Sequence, residues 1–144
     1  MSFRTKAIAA ACAACVATSG YVFSVRSTNN LAETHPDLPR LAECALNRSP
    51  VDFVVIDGGR TAVEHKKNLE NGKSWVKRSR HQDGKAIDYA AYVSGAITYD
   101  AAPYYQIAGA FYMCSESLKI PIVWGGEWKA QDLMHIELDR RFYP

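Results

Sequence analysis

The spacing of apolar residues along the chain predicts two helices, and a capping motif predicts a third. Apolar positions three and four residues apart predict a helix that begins near Pro36 and stops at Ser49. Its inward face would consist of Leu38, Leu41, Ala42, Ala45 and Leu46. The same spacing predicts a helix over 103–118, and the capping-box pair Thr61 and Glu64 predicts another that ends near residue 72.

Short runs of alternating or β-branched residues predict strands between these helices. The runs are 51–56, 85–93, 96–99, 120–124 and 134–138, with a hairpin turn at Ser94 and Gly95. In the last run, His135 and Glu137 lie opposite an apolar face. Together these elements predict an α+β domain in which the helices pack on one side of a small antiparallel sheet.

The N-terminal run Ala7–Val25 is uncharged and has a basic residue on each side, Lys6 and Arg26. Its 19 residues include seven alanines, so it is weakly apolar although its length is near the ~20 residues that span a bilayer. Three interpretations stay open: a cleaved signal peptide with Ala17-Thr18-Ser19 as a candidate site, a signal-anchor that later leaves the membrane, and a buried helix. We favour the signal-anchor and therefore expect an N-terminal hydrophobic helix before the sheet domain.

Chain length and charge limit the number of domains and the classes of binding partner. The chain has 144 residues, which fits one domain, and residues 26–35 are polar and predict a linker. We therefore divide the chain into an N-terminal segment with its linker, residues 1–30, and a domain over 31–144. That domain carries 14 basic and 15 acidic residues, so it lacks the strong positive charge of a nucleic-acid-binding protein.

Seven basic residues nevertheless cluster in the stretch that leads into the strand predicted over 85–93. They either steer an acidic substrate or form a solvated face. The cluster consists of Lys66, Lys67, Lys73, Lys77, Arg78, Arg80 and Lys85.

The four cysteines follow no metal-binding spacing. Cys12 and Cys15 lie in the apolar N-terminal run, whereas Cys44 and Cys114 lie singly on predicted helices. The last two are expected to be buried as small apolar side chains, or to pair if the domain is exported.

A histidine and a carboxylate suggest a metal site. His81 and Asp88 lie seven residues apart across Gly84, whose turn lets His81 fold back toward a strand that starts near residue 85. Two ligands do not hold zinc well, so we expect a third, and His135 is the candidate. A zinc site on the sheet with one position open to water is therefore predicted.

Three motifs carry a resemblance to a known superfamily. They are S-x-H-x-x-G-x-A-x-D at 79–88, W-G-G-x-W at 124–128 and D-x-x-H-x-E at 132–137. The chain resembles, from about residue 35 onward, the zinc peptidases of the D-alanyl-D-alanine carboxypeptidase and phage L-alanyl-D-glutamate endopeptidase superfamily. The arginine turn at 59–61 is similar as well.

The resemblance implies roles for the site residues. It implies that His81, Asp88 and His135 hold zinc, which lowers the pKa of a bound water toward ~7. Asp132 would act as the general acid and base, a role that its spacing before His135 also favours. Arg60 would stabilise the oxyanion of the scissile carbonyl.

Three further residues have expected supporting roles. Glu137 shares a face with His135 and is expected to orient that ligand. Ser79 is expected to contact substrate or to brace its loop. Trp128, like Trp124, either lines the cleft or packs in the core.

We therefore expect a zinc metallopeptidase of the phage endolysin type. It would cut the L-Ala-D-Glu bond of the peptidoglycan stem peptide, act as a monomer and bind no nucleic acid. The alternatives are a D-Ala-D-Ala carboxypeptidase or dipeptidase of the cell wall and a zinc-binding module without catalysis. We expect export to the host periplasm with an initial tether to the inner membrane, the alternative being the host cytoplasm until lysis.

Overall fold

The computed structural model describes residues 18–59, 66–67, 70–72 and 79–144. The helices with both ends in this part of the chain are α1 (Val25–Ala32), α2 (Asp37–Arg48) and α3 (Ala101–Leu118). The strands are β1 (Asp52–Asp57), β2 (Ala86–Val93), β3 (Ala96–Ile97), β4 (Ile122–Trp124) and β5 (His135–Leu138), and a 3₁₀ turn (Gly125–Glu127) follows β4. The predicted helix over 61–72 lies mostly outside the described residues.

The strands form one antiparallel sheet in the order β1-β2-β5-β4, with β3 paired to β2. The predicted hairpin is confirmed, because Ser94 and Gly95 join β2 to β3 with φ angles of 52° and 83°. In the pairing of β2 with β5, Asp88 lies directly opposite His135. The sheet register therefore brings together two residues that lie 47 positions apart.

The core lies between the sheet and the helices α2 and α3. All five predicted inward residues of α2 are buried. Four aromatic rings fill the centre, with neighbouring centroids 5.4 to 5.7 Å apart, at Phe53, Tyr89, Tyr104 and Phe111. Since side chains alternate along a strand, burial of Ile87 and Tyr89 in this core directs Asp88 to the opposite face.

The polar stretch 26–35 contains a helix, so the linker interpretation is wrong. Helix α1 starts after Ser24, whose hydroxyl accepts a hydrogen bond from the Ser27 N–H. On the helix, the Ser27 hydroxyl accepts from the Val55 N–H at 3.1 Å and the Asn30 amide donates to the Val55 carbonyl at 2.8 Å. These polar side chains satisfy the Val55 N–H and carbonyl on the edge strand β1, which is why the face of α1 toward the sheet includes polar residues.

The end of the apolar N-terminal run is also not helical. Residues 18–24 have no helical hydrogen bonding. Ser19 donates through its N–H and its hydroxyl to carbonyls at the end of α2, at 2.8 and 2.6 Å, and the Phe23 ring packs edge-on to Phe53 at 5.6 Å. The expected hydrophobic helix is therefore wrong for this part of the run, and its remainder in residues 1–17 lies outside the described residues. In the described part of the chain, no helix has the length and apolar character that crossing a membrane requires.

A disulfide joins the two core helices. Cys44 of α2 is bonded to Cys114 of α3, across a sequence separation of 70 residues. Of the two alternatives for these cysteines, the structure therefore has the paired one, with Cys114 fully buried.

Candidate metal centre

Three sequence-predicted ligands converge on the face of the sheet opposite the core. Asp88 and His135 come from the paired strands β2 and β5, and His81 comes from the turn that precedes β2. Gly84 ends that turn with a φ of +64°, as predicted, and its carbonyl accepts a hydrogen bond from the His35 N–H at 2.7 Å. The turn is thus fixed to the segment before α2.

The distances between the ligand atoms suit one shared cation. Asp88 Oδ1 lies 3.3 Å from His81 Nε2 and 3.1 Å from His135 Nδ1. One ligand atom from each residue lies within 4.8 Å of the others. Both imidazoles are buried, whereas the Asp88 side chain is 25% exposed and leaves the group open to solvent on that side.

A second hydrogen bond orients each imidazole. His81 Nδ1 lies 2.9 Å from the Gly58 carbonyl, which can only accept, so Nδ1 carries the hydrogen and Nε2 keeps its lone pair. His135 Nε2 lies 3.1 Å from the Glu137 carboxylate, so in the neutral ring Nε2 carries the hydrogen and Nδ1, which faces Asp88, keeps its lone pair. Glu137 therefore lies where the sequence predicted an orienting carboxylate, but the Gly58 carbonyl was not predicted because a backbone group has no side-chain signature.

The charges of the group favour a cation between the ligands. Burial alone would raise the pKa of Asp88, but hydrogen bonds and charge from His135 and His81 lower it far below its ordinary value. Burial alone would lower the pKa of His135, yet Asp88 and Glu137 raise it to about 9. The protonated His135 ring then lies between the carboxylates of Asp88 and Glu137. A divalent cation would compete with the proton on Nδ1, the nitrogen that faces Asp88.

The donor set fits zinc. Two imidazole nitrogens and one carboxylate oxygen are the ligand types that zinc prefers, and three protein ligands leave a further position for water or substrate. The outer hydrogen bonds from each histidine to a carbonyl or carboxylate are the usual supports of such a site.

The W-G-G-x-W turn packs directly on the start of β5. A Cβ at Gly125 would lie 2.4 Å from the Asp132 carbonyl and 3.2 Å from the Cβ of His135, and one at Gly126 would lie 2.4 Å from the Trp124 ring. Only glycine allows these approaches. The turn thereby fixes the segment that carries Asp132 and His135, and the Asp132 N–H donates to the Gly125 carbonyl at 2.9 Å.

Asp132 and Trp128 lie in the segment that packs beside His135. The Asp132 side chain is exposed. The backbone carbonyl of Asp132 accepts a hydrogen bond from the His135 N–H at 3.3 Å. The Trp128 ring is 38% exposed and lies 5.0 Å from the His135 ring, so it forms a wall beside that ligand. Trp124 is buried in the core and donates through its indole N–H to a backbone carbonyl.

Ser79 and Arg60 are the two remaining predicted residues. Ser79 is buried, and its hydroxyl accepts from the His81 N–H at 3.2 Å, which is the bracing contact rather than a contact toward solvent. Arg60 lies outside the described residues.

Three members of the basic cluster lie outside the described residues, namely Lys73, Lys77 and Arg78, and the described members do not form one solvated face. Lys66 and Lys67 are exposed, but Arg80 is buried and donates to the carbonyls of Leu138 and Tyr143. The solvated-face interpretation is therefore wrong for Arg80, and its position next to His81 was the one signal of a different role.

Three comparisons relate the chain to L-alanyl-D-glutamate peptidases. The family model described as phage L-alanyl-D-glutamate peptidase matches residues 19–144. The L-alanyl-D-glutamate peptidase of Escherichia phage T5 is 34% identical over 127 residues, which cover 85% of this chain and 93% of that protein. The crystal structure of the Serratia marcescens L-Ala D-Glu endopeptidase ChiX matches with a TM-score of 0.79 at 37% identity, over 85% of this chain and 94% of that one.

Proposed function

The chain belongs to the phage L-alanyl-D-glutamate peptidase family, and on that premise we propose that it is a zinc endopeptidase that hydrolyses the L-Ala-D-Glu bond of peptidoglycan stem peptides. The observation that carries this proposal is the convergence of His81, Asp88 and His135 beside solvent. The family relatives are named for cleavage of this bond, which favours it over the D-Ala-D-Ala bond.

Zinc is the proposed cofactor. When bound, zinc supplies a Lewis acid that polarises a carbonyl and lowers the pKa of water toward ~7. Asp88 and the two imidazoles would hold it, while Glu137 and the Gly58 carbonyl keep His135 and His81 in the orientation that presents their free nitrogens.

Proton transfer is assigned to Asp132. Its exposed carboxylate would take the proton of the attacking water and return one to the departing amine of the D-Glu residue. The Gly125 turn contacts both Asp132 and His135, and the Met134 N–H donates to the Asp132 carboxylate at 3.2 Å, which supports a fixed position of that carboxylate near the ligand group. Arg60 is proposed to stabilise the negative charge that develops on the scissile carbonyl oxygen.

Trp128 is the proposed substrate wall. Its partly exposed ring next to His135 offers an apolar surface against which a stem-peptide side chain can pack close to the ligand group. Ser79 would contribute indirectly, since its hydroxyl is engaged by the His81 N–H.

Mass spectrometry of the fragments released from purified peptidoglycan tests the function. A new N-terminal D-Glu on the released peptides is expected. Release of free D-Ala instead would identify a carboxypeptidase, and intact stem peptides would identify a module without catalysis.

Export to the host periplasm is the proposed location, with the apolar N-terminal run as an initial tether. The disulfide between α2 and α3 supports an oxidising compartment. Because residues 18–24 are docked on the domain, the part of the uncharged run that remains for a bilayer is 7–17, which is shorter than the ~20 residues that span one. A tethered chain would therefore have to leave the bilayer before it takes this fold.

Cell fractionation before and after an uncoupler tests the location. The protein should move from the membrane fraction to the soluble periplasmic fraction when the membrane potential collapses. Protein that stays in the cytosol with an intact N-terminus would contradict both export and tethering.

A further inference from the structure

Arg80 is buried immediately beside a metal-ligand candidate. Its side chain is 7% exposed, although arginine is seldom buried without a partner, and the next residue is His81. Its Nη2 donates to two backbone carbonyls, that of Leu138 at 2.9 Å and that of Tyr143 at 2.8 Å.

The charge of this guanidinium is met mainly by those carbonyl dipoles. The Asp83 carboxylate lies 4.0 Å from Nη1, beyond hydrogen-bonding distance. Among the described residues, no hydrogen-bond partner faces its Nε. A buried charge is costly unless its partners are held in place, so the position of Arg80 and the positions of the two carbonyls depend on each other.

The first carbonyl belongs to the strand that carries the other histidine ligand. Leu138 is the last residue of β5 and lies three positions after His135. The Arg80 side chain therefore spans from the turn that carries His81 to the strand that carries His135. The backbone adds two parallel connections, because Lys85 donates to the Arg80 carbonyl and accepts from the Leu138 N–H, each at 2.9 Å.

The second carbonyl belongs to a tail that is itself anchored. The Tyr143 hydroxyl donates to the Asp37 carboxylate at 2.7 Å, and its ring packs edge-on to His35 at 5.2 Å. These contacts tie the tail to the start of α2. Arg80 is thus held between β5 on one side and a fixed tail on the other.

We propose that Arg80 is a positioning residue of the metal centre, which holds the His81 turn against the end of β5 and so sets the distance between the two imidazole ligands. The inference rests on the proposed zinc site. Mutation of a residue that supports a metal ligand without binding the metal typically lowers metal affinity by ~10–100-fold. We expect a loss in that range when Arg80 is replaced.

Two substitutions of Arg80 test this role. Arg80→Gln removes the charge and shortens the side chain, while Arg80→Lys keeps the charge but lacks the planar guanidinium whose Nη2 donates to both carbonyls. The matched control is Arg141→Gln, since Arg141 lies in the same tail, is 80% exposed and pairs with Asp139. Ile107→Val on α3 is the control for a general loss of core stability.

Zinc affinity, measured by competition with a chelator, and the visible spectrum of the cobalt-substituted protein are the readouts. Arg80→Gln should weaken zinc binding about tenfold or more and alter the cobalt bands, because the ligand geometry changes. Arg80→Lys should show a smaller change in the same direction. Both controls should match the wild type in affinity and spectrum, although Ile107→Val lowers the melting temperature.

Wild-type zinc affinity and cobalt spectrum in both Arg80 variants would overturn the inference, even if their melting temperatures fall. If Arg80→Gln does not fold, the Arg80→Lys protein decides by the same two measurements. A wild-type protein that binds no zinc would instead overturn the metal-site proposal, and with it the role of Arg80.

Discussion

Glu137 accepts a hydrogen bond from His135 Nε2 at 3.1 Å, on the side of the ring away from Asp88. The Glu137 carboxylate is buried, and its other oxygen accepts from Arg140 Nε at 3.0 Å. Burial alone would raise the pKa of Glu137, but His135 and Arg140 lower it. The carboxylate is therefore ionised and holds His135 with Nδ1 directed at the ligand group.

Glu137→Gln should weaken zinc binding by ~10–100-fold, because the amide still accepts the hydrogen bond but no longer carries the charge that favours a cation. The dissociation constant from chelator competition measures this. Glu116→Gln, on the exposed face of α3, is the control and should leave the constant unchanged. Equal affinity in both variants would rule out an electrostatic role for Glu137.

Asp132→Asn should retain zinc and lose ~10²–10⁴-fold in kcat on a stem-peptide substrate, because an amide cannot take or return the proton. Arg60→Ala should likewise keep the metal and lose rate. Asp100→Asn, an exposed carboxylate before α3, is the control for loss of a surface charge. Wild-type turnover by Asp132→Asn would assign the general base to another residue.

The pH dependence of stability should differ between metal-free and zinc-loaded protein. The pKa of His135 is raised from 6.5 to about 9, so its contribution is complete below pH 6.5 and is lost as the pH rises toward 9. The pKa of Asp88 is lowered from 3.8, so its contribution is present above pH 3.8 and is lost as the pH falls below it.

The melting temperature in EDTA should therefore decline between pH 6.5 and 9. Excess zinc should remove this alkaline decline, because the metal replaces the proton on His135. Thermal melts across this pH range measure both curves. Parallel curves with and without zinc would contradict the assignment of His135 as a ligand.

Loss of the disulfide should destabilise the fold. Cys44 and Cys114 close a loop of 70 residues, for which the chain-entropy model gives about 4 kcal/mol. For a chain of this size that corresponds to a fall in melting temperature of roughly 10 °C. Melts of the wild type with and without reductant, beside a Cys44→Ala, Cys114→Ala double variant, test it. The double variant should be insensitive to reductant, and a wild type that is equally insensitive would show that the bond contributes nothing.

Those parts of the fold with a strong apolar period could be predicted from the sequence. The inward face of α2 and the hairpin at Ser94 and Gly95 are confirmed, because burial and turn chemistry determine them locally. Convergence of His81, Asp88 and His135 was predictable from their motifs. The sheet pairing of β2 with β5 explains how two of these distant residues meet.

The missed features depend on tertiary contacts that have no local pattern. Helix α1 is polar because Ser27 and Asn30 hydrogen-bond to an edge strand, so its sequence is typical of a linker. Arg80 belongs to a basic run in the sequence, and only the folded chain brings it to the Leu138 carbonyl. The support of His81 by the Gly58 carbonyl involves a backbone group and is invisible to motif analysis.

Zinc content shows whether His81, Asp88 and His135 form a metal centre. Elemental analysis of the purified wild type should give one zinc per chain, and His81→Ala and His135→Ala should each lose most of it while the fold is retained. Arg141→Gln is the control, because Arg141 is exposed, pairs with Asp139 away from the ligand group and should keep its zinc. Full zinc occupancy in both the His81→Ala and the His135→Ala proteins would contradict the account.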